Sequence, residues 1–282
     1  MDLHINTFSC SRDALTIRGE VCRGQGSAQP IAILCHGMMS THAQMKPYAL
    51  LLAELGYAAF AIDFNGGGPD SKSDGKTEDM TVYTEVADIL ATLEYARSLP
   101  YTAAGAVTLV GTSLGGFACA LAAARLGAQV ETLILLSPAF SFPDDMRFRR
   151  GVFQSQDPDH LPDVIQAGPM TLKPHFVTTL LNCDVFHIIP RFSGRVLLLH
   201  GTADELVRPD YSNTAYQAYR QSRAGDACAA DCQLLYLNNA GHTFLGGDEE
   251  FALTLIRGFL QRERWVLDSE AGSILSRTGA ET

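Results

Sequence analysis

The sequence predicts an α/β fold in which a mostly parallel central sheet is flanked by helices and interrupted by one irregular insertion. Three observations carry this. From Ile31 onward, short apolar runs rich in β-branched residues alternate with segments of helical period, the rhythm of β-α-β units. Those runs are apolar throughout rather than alternating, as in strands covered on both faces. Finally, Val107–Val110 leads directly into Gly111-Thr112-Ser113-Leu114-Gly115 and a helix-forming segment, a G-x-S-x-G turn between strand and helix.

The bulk properties narrow the class. A chain of 282 residues, 46% hydrophobic and 18% charged, suits one large α/β domain or two small ones. A net charge of −10 argues against nucleic acid or an anionic membrane as the main partner. No uninterrupted apolar run is long enough to span a bilayer. The opening Met-Asp-Leu-His-Ile-Asn lacks the basic start and apolar core of a secretory signal. The seven cysteines are odd in number and without framework spacing, so a reducing, cytoplasmic compartment is expected. Cys228 and Cys232 lie four apart in a polar stretch and could pair or bind metal, but they have no second ligand pair, so no metal is expected. The sequence leaves a homodimer open.

Taken in order, Leu3–Cys10 and Ala14–Cys22 read as a hairpin about Ser11-Arg12-Asp13. Ile31–Cys35 is a short buried strand that exits into His36-Gly37-Met38-Met39. Gln44–Leu55 follows as a helix, closed by Gly56. Tyr57–Phe64 is a strand and Asn65–Asp79 a glycine-rich loop. Thr81–Leu99 has the clearest helical period, with Val82, Val86, Ile89, Leu90 and Leu93 on one face and Pro100 as its stop. The strand Ala106–Val110, the helix Leu114–Leu126 and the strand Thr132–Leu136 come next. The rhythm then breaks from Ala139 to Pro190, which reads as irregular, without a buried strand and with only a short helix near Phe176–Leu181. Fifty such residues inside a compact fold suggest a lid. Arg195–His200, Pro209–Arg223, Gln233–Leu237 and Phe251–Arg262 resume the alternation. The expected organisation is a single core of residues 1–138 and 191–264, a lid of residues 139–190 and a polar tail of residues 265–282. The tail is expected to form a short helix around Ile274 or no structure.

The chemistry starts from Ser113. A sharp turn at a helix N-terminus lifts its hydroxyl off the sheet and surrounds it with unpaired N–H groups. Serine is a weak nucleophile and needs a base oriented by a carboxylate. Asp204 and His242 each lie in a loop just after a predicted strand, at the same sheet edge as the elbow, in the chain order Ser…Asp…His. Glu205 is the first alternative for the acid. Asp210 opens a helix, and Asp231 precedes its strand. His200 lies at a strand end and reads as a hydrogen-bonded core histidine. The oxyanion of an acyl-transfer intermediate needs two backbone donors. Leu114, the residue after the nucleophile, and Met38, in the loop after Ile31–Cys35, are the candidates.

With these pieces assembled the chain resembles the α/β-hydrolase superfamily over nearly its whole length. Asp63–Gly68 with Ser73–Lys76 and Glu78–Thr81, and Pro158–Asp163 in the insertion, are similar to segments of bacterial cinnamoyl/feruloyl esterases. Gly201–Val207 is similar to their acid loop, which related serine hydrolases share. The resemblance implies an α/β-hydrolase fold with a small lid, cleavage of hydroxycinnamic esters without a cofactor, and the roles just given to Ser113, Asp204, His242, Met38 and Leu114. It also implies a lid aspartate that binds the phenolic hydroxyl, which falls on Asp145, and a lid aromatic that falls near Phe176, where some relatives carry tyrosine. A flat phenylpropenoyl group independently calls for an aromatic pocket with few polar anchors. Phe140, Phe142, Phe148, Phe153 and Phe176 supply the first, Asp145 or Gln154 the second. Arg147, Arg149 and Arg150 lie outside the family pattern. They either favour an acidic acyl or alcohol part or are solvated. Short-chain acyl esterase, monoacylglycerol lipase, prolyl-oligopeptidase-like peptidase and a non-catalytic binding module remain the alternatives.

Overall fold

The computed structural model describes residues 2–105, 107–221, 232–262, 264–267 and 274–278. Its centre is an eight-stranded sheet in the order β1-β2-β4-β3-β5-β6-β9-β10. β1 (His4–Arg12) and β2 (Leu15–Arg23) form the expected hairpin, and β2 pairs antiparallel with β4 (Ala58–Asp63). From β4 onward all neighbours are parallel, through β3 (Ile31–Cys35), β5 (Val107–Thr112), β6 (Val130–Leu136), β9 (Arg195–Gly201) and β10 (Cys232–Leu237).

Every residue of β3, β4 and β5 is buried, because successive side chains feed two separate cores. Ile33, Leu109, Leu133 and Leu135 face one core, which holds α2 (Val82–Arg97), α3 (Ser113–Leu126), α7 (Asp210–Gln221) and the insertion. Leu34, Val110, Ile134 and Leu136 face the other, beneath α1 (Lys46–Glu54) and α8 (Gly247–Leu260). α2 begins at a reciprocal cap: the Thr81 hydroxyl accepts from the Thr84 amide, and the Thr84 hydroxyl accepts from the Thr81 amide.

The helix α3 packs so closely on the sheet that two glycines are required. A Cβ at Gly111 would lie 2.5 Å from the Gly115 carbonyl oxygen, and one at Gly115 would lie 2.2 Å from the His36 carbonyl oxygen. Gly115→Ala is therefore expected to destabilise the fold by about 1–3 kcal/mol, measured by urea unfolding, because neither backbone can yield without moving the sheet.

The insertion differs from its sequence reading. It contains α4 (Phe142–Arg147), a hairpin of β7 (Ile165–Ala167) and β8 (Met170–Leu172), α5 (Pro174–Leu181) and α6 (Val185–Ile188). Ile165, Ala167, Met170 and Leu172 are all buried, so the expectation of no buried strand is corrected. The alternation Ile165-Gln166-Ala167 and Met170-Thr171-Leu172 about Gly168-Pro169 is a period-two signal in three-residue strands. The tail also differs from expectation. Arg264–Leu267 (β11) and Ile274–Thr278 (β12) pair antiparallel, so a helix around Ile274 is replaced by a strand.

Candidate active site

The end of β5 and the start of α3 hold Ser113 at φ +52°, left-handed backbone that few serines adopt, with the side chain nearly buried. The strain is maintained by the strand and helix on either side. Its Oγ lies 3.0 Å from His242 Nε2, and His242 Nδ1 lies 2.7 Å from Asp204 Oδ2. A carboxylate only accepts, so Nδ1 carries the proton and Nε2 offers its lone pair to the serine hydroxyl. The three residues named from the sequence therefore meet at one sheet edge. Asp204 comes from the loop after β9 and His242 from the loop after β10.

Asp204 is held by four donors. Oδ1 accepts the amides of Leu206 and Val207, each at 2.9 Å. Oδ2 is shared by His242 Nδ1 and by His200 Nε2 at 3.0 Å. Burial pushes the carboxyl up, but the hydrogen bonds from the two histidines and Val207 outweigh it and hold Asp204 well below the ordinary carboxylate range. His200 is thus a hydrogen-bonded core histidine as expected, but its partner is the triad acid. Its Nε2 also reaches the Val207 carbonyl oxygen at 2.9 Å, and its Nδ1 lies 2.6 Å from Ser212 Oγ. The position of His200 four residues before Asp204 was visible in sequence. The return of the loop onto the strand end, which creates the contact, was not. Glu205, the alternative acid, is exposed.

The loop after β3 faces the elbow. Residues 37–40 form a turn in which the Ser40 amide donates to the Gly37 carbonyl, with Met39 at φ +66°. Met39 N–H donates to the Gly67 carbonyl at 3.2 Å, while Met38 N–H donates to no acceptor among the described residues. Leu114 N–H belongs to the first turn of α3, where intrahelical acceptors are lacking. His36 is fully buried beneath this turn. Its Nδ1–H donates to the Gly37 carbonyl at 2.7 Å and its Nε2 accepts from the Phe64 amide at 3.2 Å. Burial pushes the His36 imidazole down, which keeps it neutral and able to accept.

Beyond the turn, His42 Nδ1 lies 2.8 Å from the buried Asp63 carboxylate, which also accepts the His42 and Lys72 amides. The Asp63 bond raises the affinity of His42 for its proton, against the opposing effect of burial. A raised folded-state value means that the pair's contribution is complete below the ordinary value of 6.5 and is lost as pH rises through the raised one. The stability difference between wild type and His42→Ala is therefore expected to be larger at about pH 6 than at about pH 9, by about 1 kcal/mol or less for a partly exposed pair, as read from thermal unfolding.

The lid brings some expected residues inward and leaves others outside. Asp145 on α4 is buried, and burial raises its carboxyl despite the Ser141 hydroxyl, Arg208 and Arg150 nearby. Phe176 on α5 is fully buried, 6.4 Å from Phe153, which meets Phe142 edge-on at 5.2 Å. Gln154, expected as a polar anchor, is exposed; Gln156, two residues on, is the buried glutamine. The turn Gly151–Phe153 sends Phe153 into the core, so the residue directly after it faces out. Phe148, expected in the pocket, is 60% exposed beneath the Arg150 guanidinium, 4.8 Å away. Arg147 bonds Asp144 at 2.9 Å and the Leu181 carbonyl at 2.8 Å, tying α4 to the end of α5. Among the described residues no cluster of His, Cys, Asp or Glu could hold a metal, and no helix is long and apolar enough to cross a membrane. Cys228 lies outside the described residues; Cys232 is buried in β10.

Fold and site together define an α/β hydrolase of the serine-hydrolase class. The family described as serine aminopeptidase, S33, matches residues 26–179, more than half of the chain, and the chain belongs to that family. Among curated proteins none matches. Of solved structures, Est1E from Butyrivibrio proteoclasticus with ferulic acid bound is 25% identical, with a TM-score of 0.80 over 90% of this chain and 98% of that one. Alpha/beta hydrolase domain-containing protein 10 from mouse is 19% identical, with a TM-score of 0.70 over 91% of this chain and 99% of that one. An esterase from Pyrococcus furiosus is 18% identical, with a TM-score of 0.66 over 92% of this chain and 91% of that one.

Proposed function

We propose that this chain is a cytoplasmic serine carboxylesterase that hydrolyses esters of hydroxycinnamic or similar aryl acids through an acyl-enzyme. The observation that carries the reading is the Ser113–His242–Asp204 relay, with contacts of 3.0 and 2.7 Å; the Gly37 backbone approaches Ser113, and the next amide, Met38, donates to no acceptor among the described residues. His242 takes the Ser113 proton as Oγ attacks the ester carbonyl. The Met38 and Leu114 amides hold the developing oxyanion, each donor contributing on the order of 3 kcal/mol. Asp204 keeps the proton on His242 Nδ1 and stabilises the imidazolium. His242 then protonates the departing alcohol, and water attacks the acyl-enzyme by the same path in reverse.

The aryl preference draws on the buried Phe142, Phe153 and Phe176 of the lid, with Asp145 as a polar anchor for a phenolic hydroxyl, and on the likeness to Est1E, solved with ferulic acid. Cys10, Cys22, Cys35, Cys119 and Cys183 are free and buried, in keeping with a reducing compartment. The family description names an aminopeptidase, so peptide cleavage is the second reading. Rates on methyl ferulate, p-nitrophenyl butyrate and an aminoacyl anilide separate the two. Methyl ferulate is expected to be the best by kcat/KM. Anilide cleavage far above both esters would overturn the esterase reading, and butyrate far above ferulate would overturn the aryl preference. Failure of a fluorophosphonate to label Ser113 in the folded protein would leave only a binding module.

A further inference from the structure

We infer that the alcohol part of the ester occupies a second pocket, on the face of the sheet opposite the lid, where Glu249 selects neutral or cationic alcohols against anionic ones. The inference rests on the esterase reading above. A pocket of about 240 Å³ lies beside His242, lined by Gln44, Tyr48, Leu136, Phe244, Leu245 and Glu249 among others. No lid residue lines it. Tyr48, Leu136 and Phe244 belong to the core beneath α1 and α8, whereas Phe142, Phe153 and Phe176 belong to the core on the other face. The mechanism requires the leaving oxygen to sit against His242, which delivers its proton. An acyl group held under the lid thus leaves the side of His242 away from the lid for the alcohol, and this pocket is lined by His242 together with residues of the opposite core.

Its lining sets the chemistry. The walls are apolar at Leu136, Phe244 and Leu245, and Leu245 is 71% exposed at the mouth. The polar groups are few. Gln44 Oε1 already accepts the Gly37 amide at 2.9 Å, so its NH₂ is the end available to a ligand. Tyr48 is buried close enough to Glu249 for that carboxylate to add to the effect of burial in raising the phenol's pKa. Among the described lining residues, Glu249 is the one ionisable acid or base apart from His242 and that phenol. The neighbouring cation on α1, Lys46, is paired with Glu20 at 3.2 Å. A hydroxyl entering the pocket finds an acceptor in Glu249 and a donor in Gln44. A carboxylate entering it meets Glu249 with no lysine or arginine among the described lining residues to offset the repulsion. The volume lies below the roughly 300–1,000 Å³ typical of sites for larger ligands, so the class is a small polyol or amino alcohol. The lid arginines Arg147, Arg149 and Arg150 do not line this pocket, and Arg147 is engaged with Asp144 and Leu181 and Arg150 with Phe148.

The test uses three ferulate esters that differ only in the alcohol: ethylene glycol, choline and glycolate. With the full chain at low salt, kcat/KM for the glycolate ester is expected to be at least tenfold below the other two, with the gap narrowing as salt rises. Glu249→Gln should raise the glycolate-to-glycol ratio about tenfold, and Glu249→Lys should invert the order of choline and glycolate. Glu250→Gln, an exposed acid in the same first turn of α8, should leave the ratio unchanged. Equal rates on all three esters, or an equal effect of the Glu249 and Glu250 variants, would overturn the inference while leaving the esterase reading intact. Cleavage of none of them overturns that reading and this inference with it.

Discussion

Ser113→Ala is expected to lower kcat on methyl ferulate by on the order of 10⁶-fold, with KM and thermal stability little changed. The size follows from what is lost. Without Oγ there is no acyl-enzyme, and His242 has only water to activate, from a position set 3.0 Å from a hydroxyl that no longer exists. If the amides of Met38 and Leu114 hold the oxyanion as proposed, they still polarise a carbonyl in this variant, so a residual rate above the uncatalysed one is expected. A variant that retained more than about a hundredth of the wild-type kcat would remove Ser113 from the mechanism. Mass spectrometry supports the same point, since the wild type should gain a feruloyl adduct on Ser113 under rapid quench and the variant none.

Asp204→Asn should lower kcat by on the order of 10⁴-fold, and here the cause is the proton rather than the nucleophile. All four bonds to the Asp204 carboxylate run from donors: His242, His200 and the amides of Leu206 and Val207. An asparagine offers one oxygen and one NH₂ to that set. If the NH₂ faces the histidines, His242 must accept at Nδ1, which puts its proton on Nε2, and the ring can no longer accept from Ser113. If it faces the loop instead, two backbone amides lose their acceptor. A stability loss should therefore accompany the kinetic one, and unfolding measured beside kcat separates the two effects. Because Asp204 is held well below the usual carboxylate range, its stabilising contribution is present above the ordinary carboxylate value and lost only in strong acid. Neither the wild-type rate nor its stability should change through titration of this group near neutrality.

Most of the frame was legible because local and long-range signals agreed. The elbow announced itself by small residues between an apolar strand and a helix. Asp204 and His242 were found because each follows a strand in the parallel sheet, so strand order alone brings them to the edge where Ser113 stands. Legibility failed where three-dimensional return paths decide the outcome. Nothing in Leu197–Asp204 says that the loop doubles back to set His200 on the triad acid. Gln154 and Gln156 are alike in sequence, and a single turn at Gly151–Phe153 decides which one is buried. Phe148 reads as apolar but sits among arginines on a helix end, where a ring can cover a guanidinium instead of entering a core. The hairpin β7–β8 was missed because its strands are too short for periodicity to outweigh the irregular composition around it.

That hairpin rests on the turn of residues 37–40. At Gly168, between β7 and β8, a Cβ would stand 3.2 Å from Met39 Sδ, and Thr77 Oγ1 donates to the Thr171 carbonyl at 2.8 Å. Met39 in turn is held by Gly67 and shares a peptide bond with Met38. The hairpin of the insertion and the turn that carries Met38, the proposed oxyanion donor, are therefore in contact through Met39. On the proposed function, a different lid grafted onto this chain is expected to change turnover as well as acid preference, because its contact with Met39 would change too.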